Sequence, residues 1–168
     1  MPSLHAALEW LAALGWTTEL RESTTGAAML QTAHVASTVV FAGLVIMMDL
    51  RLVGLAFTHA PSAQIQRRLF PWQMAGFVPS MVTGLILFCA DPLRYYVNTL
   101  FWVKLALLVL AGFNAIAFHL KTYRTADRWD EDPNGATTAH RAGAISLALW
   151  SAIIVAGRLI PNDWFNFS

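Results

Sequence analysis

Four stretches of this chain are too apolar and too long to belong to a soluble domain. Ala27–Met48 and Trp72–Ala90 carry no formal charge, Val97–Leu120 is interrupted only by Lys104, and Ala142–Ile160 only by Arg158. A hydrocarbon core is crossed by a helix of ~20 residues. None of the four runs alternates as a barrel strand must, and a helix satisfies its own backbone in lipid. The fold expected is therefore all-α: one integral membrane domain over residues 1–168, built as a four-helix transmembrane bundle. Composition agrees, with 57 % hydrophobic and 12 % charged residues, against roughly 25 % charged in an ordinary soluble domain.

The same numbers exclude other classes. Disorder needs low hydrophobicity and high charge. One cysteine, Cys89, excludes a disulfide scaffold. A net charge of +1 with no basic stripe gives nucleic acid nothing to bind. The N-terminus lacks the basic start and unbroken apolar core of a signal peptide. Ser3–Leu14 instead reads as a short amphipathic helix, with Ser3 to cap it, Gly15 to end it and Leu4, Leu8 and Leu11 on one face. Trp10 and Trp16 suit a membrane interface, and packing on the bundle is the alternative.

Basic residues set the expected orientation. Arg51, Arg67, Arg68, Lys121, Arg124, Arg128 and Arg141 fall on one side, Arg21 and Arg94 on the other. That places both termini outside and both long loops in the cytoplasm of a bacterial inner membrane. Trp72, Trp102, Trp164, Tyr95 and Tyr96 fall near the predicted interfaces. The short connection Asp91–Tyr96 predicts that the second and third spans are antiparallel neighbours. Asp132-Pro133-Asn134-Gly135 reads as a turn, since Pro fixes φ and Asn-Gly tolerates positive φ.

Helical spacing sorts the faces. Gly76, Ser80 and Gly84 form a small-residue ridge that admits another backbone, from this chain or from a second copy in a homo-oligomer. Gly143, Ser146, Trp150 and Gly157 share a face of the fourth span. Gln31, His34, Thr38, Val45 and Asp49 form a polar stripe on the first span, which is expected to continue into Leu50–Phe57. Asp49 and Arg51 are candidates for an interfacial ion pair with each other or with a neighbouring helix. His34 and Lys104 each lie seven residues inside their spans, ~10 Å deep. Ionisable groups at such depth usually face a cavity, a partner or a cofactor. Lys104 and His119 share a helix face but sit 15 residues apart, ~22 Å. Arg158 is placed to snorkel outward.

Metal-site spacings, phosphate-binding loops and a nucleophile elbow are all absent from the sequence. A bis-histidine haem needs two imidazoles at one depth. His34 and His119 lie at opposite ends and cannot share one haem, whereas His119 with His140 or His59 meets that requirement.

The run His34…Gly43…Asp49-Leu50-Arg51-Leu52…Gly54-Leu55 resembles a bacterial family of small four-helix membrane proteins with a domain-of-unknown-function label. So do Arg67-Arg68-Leu69-Phe70-Pro71-Trp72…Gly76-Phe77…Thr83-Gly84…Phe88…Ala90-Asp91, Tyr95…Asn98…Phe101…Lys104…Leu110-Ala111-Gly112…Asn114-Ala115…Phe118-His119, and Ala156-Gly157-Arg158. His59 and His140 lie outside that pattern, which directs attention to His34 and His119. In layout the chain is also similar to the haem-binding protoporphyrinogen oxidase of bacteria and to copper-resistance D type membrane proteins, with His34 and Lys104 at corresponding positions. Three readings follow. One is a haem b-binding redox subunit using His34, His119, Lys104 and Arg158, with a membrane redox partner. The second is a copper- or other metal-handling protein with His34 and His119 as ligands. The third is a cofactor-free structural or partner subunit.

Overall fold

The computed structural model describes residues 4–121 and 133–162, with side chains at 4–118 and 137–161. Seven helices follow in order: α1 (Leu4–Ala12), α2 (Gly15–Glu22), α3 (Thr24–Leu52), α4 (Ser62–Ala90), α5 (Pro92–Val97), α6 (Thr99–Lys121) and α7 (Pro133–Leu159). A 3-10 turn, Ile160–Asn162, closes the described chain. The helices α3, α4, α6 and α7 are long and apolar enough to cross a membrane; α3 and α4 contain the first two predicted spans whole, α6 begins two residues inside the third, and α7 ends one residue short of the end of the fourth. Their outer faces expose Val39, Val82, Leu85, Val109, Phe113 and Val155, a surface that acyl chains solvate and water does not.

The packing order is α4–α3–α7–α6. The expectation that the second and third spans pack side by side is corrected: among the described residues, α4 and α6 do not run along each other. Residues 91–98 are the reason. They contain the helix α5 and hold the start of α6 away from the end of α4. Contact there is aromatic, with Phe88 stacked on Phe101 at 5.4 Å and 6° and Tyr95 5.3 Å from Phe101.

The seam between α3 and α4 is set by glycine. A Cβ at Gly76 would lie 2.8 Å from the Phe41 backbone nitrogen and 3.0 Å from its Cα. The two backbones therefore touch, as the small-residue ridge predicts. Phe41 fills the junction of three helices, 5.2 Å from Phe77 of α4 and edge-on to Trp150 of α7 at 5.0 Å. Within the chain the ridge meets Phe41 at Gly76 and His34 at Gly84.

Three local expectations change. Gly15 begins α2 rather than ending the N-terminal element; the break between α1 and α2 is sealed by Thr17, fully buried, whose hydroxyl donates to the Leu14 carbonyl at 2.7 Å. The first span runs past Asp49 as expected but stops at Leu52, five residues short of Phe57. Gly54 (φ +78°) closes it: Gly54 N–H donates to Arg51 O at 3.1 Å and Leu55 N–H to Leu50 O at 2.9 Å, the paired bonds of a left-handed helix cap. Pro133-Asn134-Gly135 forms the first turn of α7, where proline loses nothing by lacking an N–H; Asp132 lies outside the described residues.

The helices α1, α2 and α5 gather at one end of the bundle. Leu8 is buried there, while Trp10 (66 % exposed) and Trp16 point outward, so this element both packs and presents an interfacial face. Arg21 donates to the Ala90 carbonyl at 3.4 Å and Arg94 to the Pro161 carbonyl at 3.2 Å. Each arginine thus satisfies a carbonyl at the end of a spanning helix. Trp102 donates to Tyr96 O at 2.9 Å, Trp72 is exposed, and Trp164 lies outside the described residues.

Candidate functional site: the histidine and lysine of the bundle interior

His34 sits on α3 against α4. Its Nδ1 lies 3.1 Å from the Ser80 carbonyl and 3.1 Å from the Thr83 hydroxyl. A carbonyl can only accept, so Nδ1 carries the proton. Thr83 spends its own hydroxyl proton on the Pro79 carbonyl at 2.6 Å and is left to accept from the imidazole. This network assigns the neutral ring one tautomer, with a lone pair on Nε2. Among the described residues Nε2 has no hydrogen-bond partner. Histidines held by a backbone carbonyl on one nitrogen present the other as a ligand or proton acceptor.

Gly84 makes room for the ring: a Cβ there would meet His34 Cε1 at 3.0 Å. One turn away, the Thr38 and Ser80 hydroxyls are 2.7 Å apart. Gln31, expected beside His34 on the polar stripe, is exposed and takes no part.

Lys104 enters from α6 and lies across α7 at Gly157, where a Cβ would be 3.3 Å from its Nζ and 3.6 Å from its Cε. Its ammonium is within electrostatic reach of His34 and has no hydrogen-bond acceptor among the described residues. Both residues are partly accessible. A half-buried cation and an imidazole lone pair thus share one region.

The other candidates do not join them. Arg158 is exposed in the last turn of α7. His119 lies on α6, 15 residues from Lys104 or ~22 Å along the helix, and its side chain is outside the described residues. His59 and His140 are exposed. The Asp49–Arg51 ion pair is not formed: Arg51 Nε donates to the Ala60 carbonyl at 2.9 Å, and Asp49 turns to Ser146 of α7. Among the described residues no three His, Cys, Asp or Glu side chains gather as a metal site would need.

Sequence spacing found His34 and Lys104 but missed what seats them. Ser80, Thr83, Gly84 and Gly157 act only through contacts between helices. The ridge Gly76-Ser80-Gly84 was the available signal.

A family of unknown function (DUF6644) matches residues 8–165. The chain belongs to that family. No curated protein and no solved structure matches it. The match runs from α1 past the end of α7, so the N-terminal helices and the α5 corner belong to the family's fold along with the four spans.

Proposed function

We propose that this family member is a haem b-binding redox subunit of the bacterial inner membrane, with His34 as the iron ligand. The observation that carries this reading is the imidazole itself: Nδ1 is anchored on the Ser80 carbonyl, and Nε2 is left with a lone pair and no partner. Haem brings four nitrogens of its own and needs only one or two from the protein. A bare copper ion needs several donors, and no such cluster exists among the described residues; metal handling through His34 and His119 is therefore the weaker proposal. Lys104 would meet a propionate, matching its unpaired cation with an anion. Arg158, on the exposed side of α7, is less well placed for that role, and His119 would serve only a separate site at the other end. Bound haem would supply one-electron transfer. The chain's part is to orient the ligand, neutralise the anion and exclude water, with a membrane redox partner as the electron source.

The basic-residue asymmetry supports an orientation with both termini extracytoplasmic, which puts His34 nearer the outer face. Reporter fusions at residue 168 and within residues 53–61 check it; activity of a cytoplasmic reporter at residue 168 would reverse it.

A cofactor-free partner subunit is the second reading. Its support is that Thr38, Gln73, Asn98 and Asn114 all bond across helices within the chain, as polar glue does. One experiment separates the two. Protein purified in detergent from haem-replete cells should show a Soret band with sharpened reduced α and β bands. His34→Ala should lose it while remaining folded. A featureless spectrum from folded protein sinks the haem reading and leaves the second.

A further inference from the structure

The last turn of α3 holds a carboxyl that the haem reading does not use. Asp49 is 5 % exposed, and its Oδ2 is buried with no hydrogen-bond partner. The other side of the carboxyl is served by the Ser146 hydroxyl of α7. Gly143 is what seals the site. A Cβ there would come within 2.8 Å of Leu52 Cβ and 3.2 Å of the Asp49 carbonyl oxygen, so α7 closes directly over this turn.

Among the described residues no cation pairs with the carboxyl. On its own helix, Arg51 is drawn to the Ala60 carbonyl. From α7 it meets the neutral Ser146 and Gly143, and His140 and Arg141 are exposed. On α4, Gln73 is occupied by Leu44 O and Gln66, while Arg67 and Arg68 are exposed. On α6, Asn114 donates to the Ala142 carbonyl at 3.1 Å. An ionised carboxylate here would be desolvated without a counter-charge. It would also sit at the negative end of the α3 dipole.

We propose that Asp49 is a proton-binding site, with Oδ2 taking up and releasing a proton at the end of the bundle opposite His34. A proton on Oδ2 removes the charge from the dipole's negative end, and the carbonyl oxygen keeps the Ser146 bond. The site stands independently of haem. It lies 15 residues from His34 on the same helix, ~22 Å, so α3 carries one protonatable group toward each end. The polar positions between them are Thr38 with Ser80 and Gln73 with Leu44 O.

The test is infrared difference spectroscopy of the purified protein in lipid nanodiscs, recorded between acid and alkaline pH in water and in deuterium oxide. The wild type is expected to show one carboxyl C=O band that comes and goes reversibly with pH, shifts on deuteration and is absent from Asp49→Asn. Ser146→Ala should move that band without removing it, since the partner is lost and the acid kept. Circular dichroism checks that each variant is folded. Should Asp49→Asn not fold, Asp49→Glu and Ser146→Ala carry the test, because either should displace the band. Superimposable pH-difference spectra for wild type and Asp49→Asn, or a band that neither fallback variant moves, overturn the proposal.

Discussion

Gly76→Ala should separate α3 from α4, and the cost can be worked out from the seam. The added methyl would sit 3.0 Å from two carbons of Phe41 and 2.8 Å from its backbone nitrogen. Carbon atoms rest at about 3.5–4.0 Å, so α3 must retreat locally by about 0.5–1 Å. Two of the three atoms met are backbone and cannot rotate away. Overpacking of this kind costs ~1–3 kcal/mol. Alanine also gains about 1 kcal/mol of helix propensity over glycine. Gly43→Ala isolates that gain, because Gly43 is also within α3 and has nothing within 4 Å of its missing Cβ. The propensity term cancels between the two variants, leaving the overpacking cost of ~1–3 kcal/mol as the difference. Reversible unfolding in mixed micelles of rising denaturing-detergent fraction, followed by circular dichroism, measures both. Equal stabilities for Gly76→Ala and Gly43→Ala would refute the contact between backbones. A further mark is local: the 2.7 Å Thr38–Ser80 bond lies within a turn of the contact and should lengthen with it.

Two other predictions concern the corner that joins α4 to α6. Burial pushes the Tyr95 phenol up from its ordinary value, Arg94 beside it pulls it down, and Asp91 adds to the rise. The folded state therefore holds this proton longer than the unfolded chain does. Its stabilising contribution is complete below the unfolded value of about 10 and is lost as pH climbs through the higher folded value. Thermal unfolding scans at alkaline pH should show wild type losing stability faster than Tyr95→Phe; parallel curves would count against it. Asn98 is 1 % exposed, donates to Ile160 O at 3.2 Å and accepts from Phe101 N–H at 3.2 Å. Asn98→Ala should cost ~1–3 kcal/mol by leaving the buried Ile160 carbonyl without its donor, while Phe101 N–H keeps its bond to the Asn98 backbone carbonyl at 3.1 Å. Asn98→Asp should cost at least as much, because it sets a buried carboxylate oxygen against the Ile160 carbonyl; an unfolding midpoint above that of Asn98→Ala would count against the donor role.

The spans were legible because the requirement behind them is one-dimensional: a run of apolar residues of sufficient length reads the same in any packing. The ends were less so. Arg67 and Arg68 lie in α4, which begins at Ser62, ten residues before the apolar run, because a helix continues past the lipid as long as its backbone bonds are met. Gly54 was readable as a helix cap in principle, but the apolar Leu55 and Phe57 beyond it suggested continuation. The pairing of helices was the least accessible feature. A short connection implies neighbours only if it is a loop, and here it contains a helix with Pro92 at its first position.

For the candidate site the same distinction holds. An ionisable residue deep in an apolar run is visible in any sequence, so His34 and Lys104 stood out, whereas Asp49, one residue past its run, read only as the end of a polar stripe and an ion-pair candidate. What each can do depends on the opposing helix, where the sequence offers only small residues of ambiguous purpose. Gly76 and Gly143 bring backbones together, whereas Gly84 and Gly157 give an imidazole and an ammonium somewhere to lie. Spacing cannot separate those two uses, because both need a missing side chain on the buried face. The contacts do separate them, and they divide the three groups in turn. His34 keeps a lone pair on Nε2 and Lys104 has no hydrogen-bond acceptor among the described residues, and both are partly accessible; Asp49 has an unpaired oxygen in a turn over which α7 packs at Gly143.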